Sequence, residues 1–311
     1  MLAYLASRGL RSLLTIFLVL SFAFVILRMS GDPALMILSA DAPPEAIEAF
    51  RKSWGLDVPL WQQFIGYFVN LAQGNFGESM RDGSPAMQLV LEAIPATMSI
   101  ALPAFLLHLL IGIPTGIFAA LHRDSFIDRA VMSLSVAGHC LPSFVLGLVL
   151  VLVFAVNLGW LPSGGYGTPM HAVLPILTLS IGGAAVLARF TRSAMLEVLG
   201  QPYIRAACAK GLTWRQVVIR HALPNAAMPM ITIAGLMLGG LVAGAVIVES
   251  VFSWPGVGRL IVSAVSNRDL SVVQAALLLI TITMVSSNLI VDAVYCLVDP
   301  RLRSPSSKAG A

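Results

Sequence analysis

The few ionisable side chains that could do chemistry in this sequence lie mostly inside or beside long apolar stretches. His108, His139 and Asp292 fall within such stretches. An ionisable group is costly to bury there and is therefore a candidate for a functional role. The two histidines could line a translocation path or bind a metal; a neutral histidine that donates a hydrogen bond to a neighbouring helix is the simpler alternative. Asp292 could extend to the water at the end of its stretch or pair with a loop arginine.

The sequence contains none of the common catalytic or cofactor-binding motifs. Lys210-Gly211 lacks the glycine-rich approach of a phosphate-binding loop. No His-Glu-x-x-His, Cys-x-x-Cys or nucleophile-elbow motif occurs, and Cys140, Cys208 and Cys296 are too dispersed for a disulfide framework or a zinc site. The chain is therefore predicted to bind no cofactor, and a membrane-embedded enzyme that uses the histidines with Cys140 or Asp292 is a remote alternative.

The composition is that of a membrane protein, because 58% of the residues are hydrophobic and 11% are charged, against about 25% charged in soluble domains. The apolar residues fall in blocks long enough to cross a hydrocarbon core of about 30 Å as helices. The chain is thus predicted to be an all-α membrane protein with six transmembrane helices. These cover approximately residues 10–29, 97–121, 130–156, 173–190, 226–248 and 273–298.

Lysine and arginine residues are distributed unevenly between the segments that join these stretches. With both chain ends in the cytoplasm, 13 of the 19 basic residues fall on the cytoplasmic side and six on the other. This is the bias that the positive-inside rule describes, so both termini are predicted to be cytoplasmic. Although Arg8 and Arg11 precede the first stretch, it is predicted to be an uncleaved span and not a secretory signal.

Small residues and prolines within the spans indicate close helix packing and local bends. The predicted fifth span carries Gly235-x-x-x-Gly239 and Gly240-x-x-x-Gly244, a spacing that lets helices approach closely. Pro103, Pro114 and Pro142 are predicted to kink the second and third spans.

The basic loop between the fourth and fifth spans is predicted to form two short helices joined by a glycine. Pro202 suits the first turn of a helix, and Gly211 can adopt the left-handed conformation that ends it. Thr213 and Gln216 have the spacing of a capping box for the second helix, which is expected to finish before Pro224. A helix pair lying on anionic lipid and a rigid lever that docks on a soluble partner both fit this pattern.

The same loop resembles the coupling-helix signature of permeases of bacterial ATP-binding-cassette importers. Ala206, Ala207 and Gly211 are followed, after nine residues, by an element that ends in Leu223-Pro224. Arg205 stands where the family has an acidic residue. The sequence from Tyr203 to Leu212 resembles that of the dipeptide, oligopeptide and nickel branch of this family. Further segments that resemble this branch are Gly31-Asp32-Pro33, Leu56 to Leu60, Gly74 to Ser79, Phe252 to Leu260, and Arg268-Asp269.

This resemblance implies a type I importer permease that translocates peptides across the bacterial inner membrane, or alternatively nickel or another small solute. It implies a second homologous permease, two cytoplasmic ATPase subunits that bind the ATP, a periplasmic substrate-binding protein and membrane lipid as partners, with no nucleic acid. The residues it assigns to coupling with the ATPase are Tyr203, Arg205, Ala206, Ala207, Lys210, Gly211, Leu223 and Pro224.

The predicted organisation follows from these observations. Residues 1–30 form an N-terminal segment with the first transmembrane helix, and residues 31–95 form a periplasmic segment. Residues 96–303 form the core permease domain, which contains the cytoplasmic coupling loop at residues 191–225, and residues 304–311 form a disordered tail.

Overall fold

The computed structural model describes residues 2–29, 31–38 and 42–298, with the side chains at 2–8, 36 and 292–298 left out. The predicted tail and the side chain of Asp292 therefore lie outside the described residues. Within them the chain forms helices and no strand, apart from an isolated bridge between Glu78 and Pro85.

The described helices are mostly joined by short connections, and the two longest are residues 73–85 and 158–168. In chain order they are α1 (Leu2–Met29), α2 (Pro33–Ile37), α3 (Pro44–Ser53), α4 (Leu60–Ala72), α5 (Ala86–Leu107), α6 (Ile113–Leu121), α7 (Phe126–Cys140), α8 (Ser143–Leu150), α9 (Pro169–Leu199), α10 (Pro202–Ala209), α11 (Trp214–Val217), α12 (Leu223–Gly239), α13 (Leu241–Val251), α14 (Val257–Ser266) and α15 (Leu270–Val298). Three π-helical segments join helices or extend them, at His108–Gly112, Val151–Asn157 and Val218–Ala222.

Five of the described helices are long and apolar enough to cross a membrane, and the bent pair of α7 with α8 and its extension makes a sixth candidate. This agrees with the six predicted spans, with some changes of boundary. The second span begins at Ala86, well before residue 97, and α9 continues to Leu199, beyond residue 190. The fifth is interrupted at Gly240, where α12 ends and α13 begins.

The three prolines that were predicted to kink the second and third spans have different positions in their helices. At Leu141-Pro142 the third span bends by 100°, so the predicted kink at this position is confirmed. Pro103 lies within α5, which continues through it without a break. Pro114 lies in the first turn of α6, directly after a π turn.

The second short helix of the basic loop was expected to end before Pro224, and this prediction is wrong. The chain passes from α11 through the π turn Val218–Ala222 into α12 without leaving the helical conformation. In the π turn the N–H of Leu223 reaches back five residues to the carbonyl of Val218. Pro224 then occupies the first turn of α12, where its missing N–H costs little. The second helix of the pair, α11, is therefore continuous with the next apolar helix, α12.

The chain divides into two compact units, Met1–Thr97 with Pro255–Thr283, and Met98–Trp254 with Met284–Ala311. In the first unit the aromatic side chains of α4 pack on α1. The ring of Phe68 lies 4.9 Å from that of Phe17, and the ring of Phe64 lies 5.4 Å from that of Phe24. An aromatic face of α4 thus packs on a neighbouring helix.

Two distant segments of the first unit are joined by a buried carboxylate. Asp269 accepts a hydrogen bond of 2.5 Å from the hydroxyl of Ser79 and one of 3.3 Å from the backbone N–H of Met80. A β-carbon at Gly77 would lie 2.9 Å from the hydroxyl oxygen of Ser271. The segment that ends at Ser79 and the Arg268-Asp269 pair, which the sequence alone did not connect, therefore meet in space.

The second unit is organised around α9, which packs on α6, α7, α8 and α12. The closest approach occurs at glycines of the second span. A β-carbon at Gly112 would lie 2.9 Å from the carbonyl oxygen of Ala184, and one at Gly116 would lie 2.5 Å from that of Ala188. Gly112-x-x-x-Gly116 is a small-residue motif that was not singled out in the sequence, and it forms a tight helix–helix seam of this unit.

The glycine motif at the end of α12 also packs against another helix, as predicted. A β-carbon at Gly235 would overlap the side chain of Val291, and one at Gly239 would lie 3.4 Å from the Cβ of Ser287. Both neighbours belong to α15. In contrast, a β-carbon at Gly244 would meet no atom within 4 Å.

Candidate coupling site and cavity

The connection between α9 and α12 is built as two short helices around one left-handed residue. Pro202 occupies the first turn of α10, and Lys210 caps its C-terminus. Gly211 follows with φ +83°, and a β-carbon there would meet no atom within 4 Å. The space around Gly211 is therefore open, and its requirement for glycine comes from the backbone conformation alone.

The second short helix begins with the predicted capping box. The Oγ1 of Thr213 accepts a hydrogen bond of 3.4 Å from the backbone N–H of Gln216. The side-chain oxygen of Gln216 accepts one of 3.0 Å from the backbone N–H of Thr213. Because both free N–H groups are satisfied, the start of α11 is fixed immediately after the turn at Gly211.

The helix pair is attached to the spanning helices by a shared apolar core. Ile204 and Ala207 of α10 and Val217 of α11 are buried in it. The other buried members come from α6, α9, the π turn and α12, and are Ala120, Ala194, Met195, Val218, Ala222, Ala226 and Met230. The helix pair therefore shares one packed core with three spanning helices, and packed interiors deform little.

The residues predicted to couple with an ATPase divide between the surface and this core. Those whose side chains or backbone are exposed are Tyr203, Arg205, Ala206, Lys210, Gly211 and Pro224. Ala207 is buried, and Leu223 packs half-buried against the core. The two adjacent alanines of the signature thus have different positions: Ala206 lies on the outer surface, whereas Ala207 holds α10 on the core.

Two exposed apolar residues of this surface were not predicted. Trp214 is the first residue of α11 and is 52% exposed, and Ile219 is 51% exposed. Large exposed apolar side chains beside basic residues are typical of surfaces that bind a partner or a membrane. The signal in the sequence was a tryptophan directly after the helix cap and next to the basic Arg215.

A cavity of about 420 Å³ lies in the second unit, where the bend after α7 meets α5, α9 and the break between α12 and α13. Both candidate histidines, His108 and His139, line it, together with the hydroxyl-bearing Ser143 and Thr178. The remaining wall is apolar or glycine, including Gly244. The structure therefore brings the two histidines to one cavity.

His108 is held by a neighbouring helix. Its Nε2 atom lies 3.0 Å from the carbonyl oxygen of Leu179, and because a carbonyl can only accept, Nε2 donates. Its ring fills the space beside Gly183, where a β-carbon would overlap it. The Nδ1 atom is buried and has no partner among the described residues. The predicted bond to a neighbouring helix is therefore present.

The described residues give no support to the alternative that His108 and His139 bind a metal ion. Among the described residues, no group of three or more His, Cys, Asp or Glu side chains is arranged to hold an ion. His139 is exposed and stands next to the bend at Leu141-Pro142, and the cavity contains too few donors for metal coordination.

A buried ion pair connects α7 with α9 in the same unit. Arg192 binds Asp128 in the bidentate geometry, with Nε at 2.5 Å from Oδ1 and Nη2 at 2.6 Å from Oδ2. The side chain of Asp128 is 4% exposed. Forked pairing of this kind fixes orientation as well as distance, so the start of α7 is held to the end of α9 that leads to the helix pair.

Apolar helices around a cavity, with a capped helix pair between two of them, fit the architecture of a membrane transport permease. The comparisons with known proteins agree. Residues 112–304 match the family described as binding-protein-dependent transport system inner membrane component, and residues 1–101 match the N-terminal part of such components. The chain belongs to this family and is a multi-pass permease subunit of an ATP-binding-cassette importer in the inner membrane.

The similar proteins include curated relatives and a solved structure. The chain is 40% identical over 304 residues to the glutathione transport system permease protein GsiC of Escherichia coli, covering 97% of this chain and 99% of that protein. GsiC of Shigella flexneri matches equally well, at 40% identity over the same shares. An inward-facing structure of the MetNI methionine ABC transporter matches with a TM-score of 0.56 and 22% identity over 69% of this chain and 98% of that chain, which supports the type I importer fold.

Proposed function

We propose that the helix pair of α10 and α11 is the coupling element through which an ATPase subunit drives this permease. The observation that carries the proposal is the combination of a fixed turn at Gly211, a capping box at Thr213 and a core shared with three spanning helices. Each of two ATPase subunits would bind one such pair, one on this chain and one on a second homologous permease. ATP binding would draw the two pairs together and switch the spans from inward-facing to outward-facing.

We further propose that the cavity lined by His108 and His139 belongs to the translocation path. It lies where helices break or bend, at Pro142 and Gly240, and such breaks occur in membrane proteins where the backbone lines a cavity. The cargo would be a peptide delivered by a periplasmic binding protein, because the family is binding-protein-dependent and the 40% identical relatives belong to glutathione transport systems. Both termini would lie in the cytoplasm.

The coupling role is tested by replacing Gly211 with valine. Valine in the left-handed region costs about 1 kcal/mol or more, so the angle between α10 and α11 should change while the spans still insert. We expect normal membrane abundance, weaker retention of the ATPase in a pull-down and loss of peptide uptake.

Gly200→Ala is the matched control, since Gly200 begins the same connection with φ −76°, and a β-carbon there would meet its nearest atom at an ordinary distance of 3.5 Å. This variant should retain the ATPase and most of the uptake. A Gly211→Val variant that inserts, retains the ATPase and transports normally would show that the helix pair is not the coupling element.

A further inference from the structure

The apolar surface of α4 is wider than packing on one neighbour requires. Its aromatic side chains pack on α1, and beside them lies a stripe of exposed apolar residues at helical spacing, Trp61, Ile65 and Val69, called the α4 stripe below. At about 100° per residue, the two groups together cover about 200° of the helix circumference, about twice the apolar width that a helix packed on one side needs. Leu60–Ala72 contains no charged residue, so no charge opposes burial of the stripe in an apolar surrounding.

The position of α1 along the membrane normal is set by the arginines near its two ends. Residues 12–27, between Arg11 and Arg28, contain no charge. They form about 24 Å of helix, slightly less than the thickness of about 30 Å of hydrocarbon that a span must cross. Sliding α1 by more than about one turn would draw one of these arginines into the hydrocarbon, which is costly. The residues in the middle of this stretch therefore lie in the interior of the bilayer.

The aromatic side chains of α4 contact α1 at this depth. The ring centroid of Phe68 lies 4.9 Å from that of Phe17, and the ring centroid of Phe64 lies 5.4 Å from that of Phe24. Phe17 is six residues from the nearer arginine and eleven from the other, which is about 9 Å and about 16 Å along a helix axis. Both helices belong to one compact unit. The middle of α4 therefore lies beside the part of α1 that crosses the hydrocarbon.

We propose that α4 is inserted into the bilayer beside α1 and that the α4 stripe contacts the acyl chains of phospholipids. Among the described spans, α1 is the least buried, and its exposed side chains include the large apolar Leu18 and Phe22. The contact with α4 still leaves Phe17 45% exposed. The two helices thus remain open to their surroundings, and at this depth the surroundings of an open apolar surface are acyl chains.

The helix is too short to add a span. Its 13 residues measure about 20 Å, against about 30 Å of hydrocarbon. The chain before α4 carries the exposed Asp57 and the chain after it carries the exposed Glu78, and both carboxylates are costly to remove from water. Both ends of α4 therefore return to the same side of the membrane, and the number of spans is unchanged. This insertion depends neither on the proposed coupling role nor on the orientation of the chain.

The test measures the surroundings of the α4 stripe with nitroxide spin labels on single cysteines. The labels are attached at Ile65→Cys and Val69→Cys, whose side chains are largely exposed, so the ring contacts with α1 stay intact. The importer complex, with its native cysteines replaced by serine, is reconstituted into vesicles of phosphatidylethanolamine and phosphatidylglycerol. Collisions with molecular oxygen report acyl chains, because oxygen dissolves in hydrocarbon, and collisions with a water-soluble nickel chelate report water. We expect oxygen collisions to exceed nickel collisions at both positions.

Two control positions calibrate this measurement. Phe22→Cys, on the exposed side of α1, should show the same excess of oxygen collisions, and Glu48→Cys, on the exposed surface of α3, should show the reverse. The proposal fails if nickel collisions exceed oxygen collisions at Ile65→Cys or Val69→Cys, because α4 would then lie in water. It also fails if both reagents are excluded from these two positions, because another protein chain would then cover the α4 stripe.

Discussion

At the scale of single residues, Gly244 offers the most direct test of the cavity as a path. It lines the cavity, and a β-carbon at this position would meet no atom within 4 Å. Alanine therefore fits, whereas leucine would extend into the cavity, and both favour the helical conformation over glycine by about 1 kcal/mol. We expect Gly244→Leu to reach normal membrane abundance and lose most of its peptide uptake, as measured with a labelled peptide in whole cells.

Gly244→Ala is the control, and it should transport at nearly the unchanged rate. Uptake by the leucine variant at the same rate as the alanine variant would place the path elsewhere in the assembly.

Residue-scale features could be predicted from the sequence where a contact is local. Gly211 and the pair of Thr213 with Gln216 act on backbone groups within a few positions of themselves, so their spacing is sufficient to identify them. Ser79 and Asp269 are 190 positions apart. Nothing in either segment specifies the other, because a hydrogen bond between distant segments depends on the packing of all the helices between them.

At the scale of helices, the seam between the second span and α9 should be the most sensitive to added volume. A β-carbon at Gly116 would lie 2.5 Å from the carbonyl oxygen of Ala188, and a backbone oxygen cannot rotate away as a side chain can. The helices must then separate, at a cost of about 2 kcal/mol for an overpacked interior. We expect Gly116→Ala to lower the thermal unfolding midpoint of the detergent-solubilised protein and its membrane abundance.

Gly182→Ala is the matched control on α9. Its β-carbon would lie 3.9 Å from the carbonyl oxygen of Gly138, an ordinary contact, so its unfolding midpoint should equal or exceed that of the unchanged protein. Equal stability of the two alanine variants would show that the seam is looser than the distances indicate.

The wrong prediction that the second short helix of the loop ends before Pro224 has a physical origin. A proline predicts the end of a helix because it lacks an N–H, but a preceding π turn changes which groups need partners. At both Pro114 and Pro224 the π turn ends two residues earlier, so the helix restarts with the proline in its first turn. The spacing of apolar residues does not reveal a π turn, and the continuation of the helix through Pro224 was therefore not visible in the sequence.

At the scale of the whole molecule, the distribution of basic residues predicts that both termini and the helix pair share the cytoplasmic side. The number of apolar helices agrees with this arrangement when the bent pair of α7 and α8 counts as one span, because an even number of spans returns the chain to its starting side. Which side of the membrane each loop faces is predicted from the charge of the loops and not from helix packing. Single cysteines whose accessibility from either side can be measured are therefore the appropriate probe.

The experiment requires a background in which Cys140, Cys208 and Cys296 are replaced by serine, since Cys140 and Cys208 are exposed in the chain. In this background Ser84→Cys should react with a membrane-impermeant maleimide in intact spheroplasts. Lys210→Cys, at the exposed end of α10, should react only after the membrane is permeabilised. Ser307→Cys, which lies outside the described residues, should behave like Lys210→Cys. Labelling of position 210 from outside, with position 84 protected, would show that the protein has the opposite orientation in the membrane. The helix pair would then lie on the side away from any cytoplasmic ATPase.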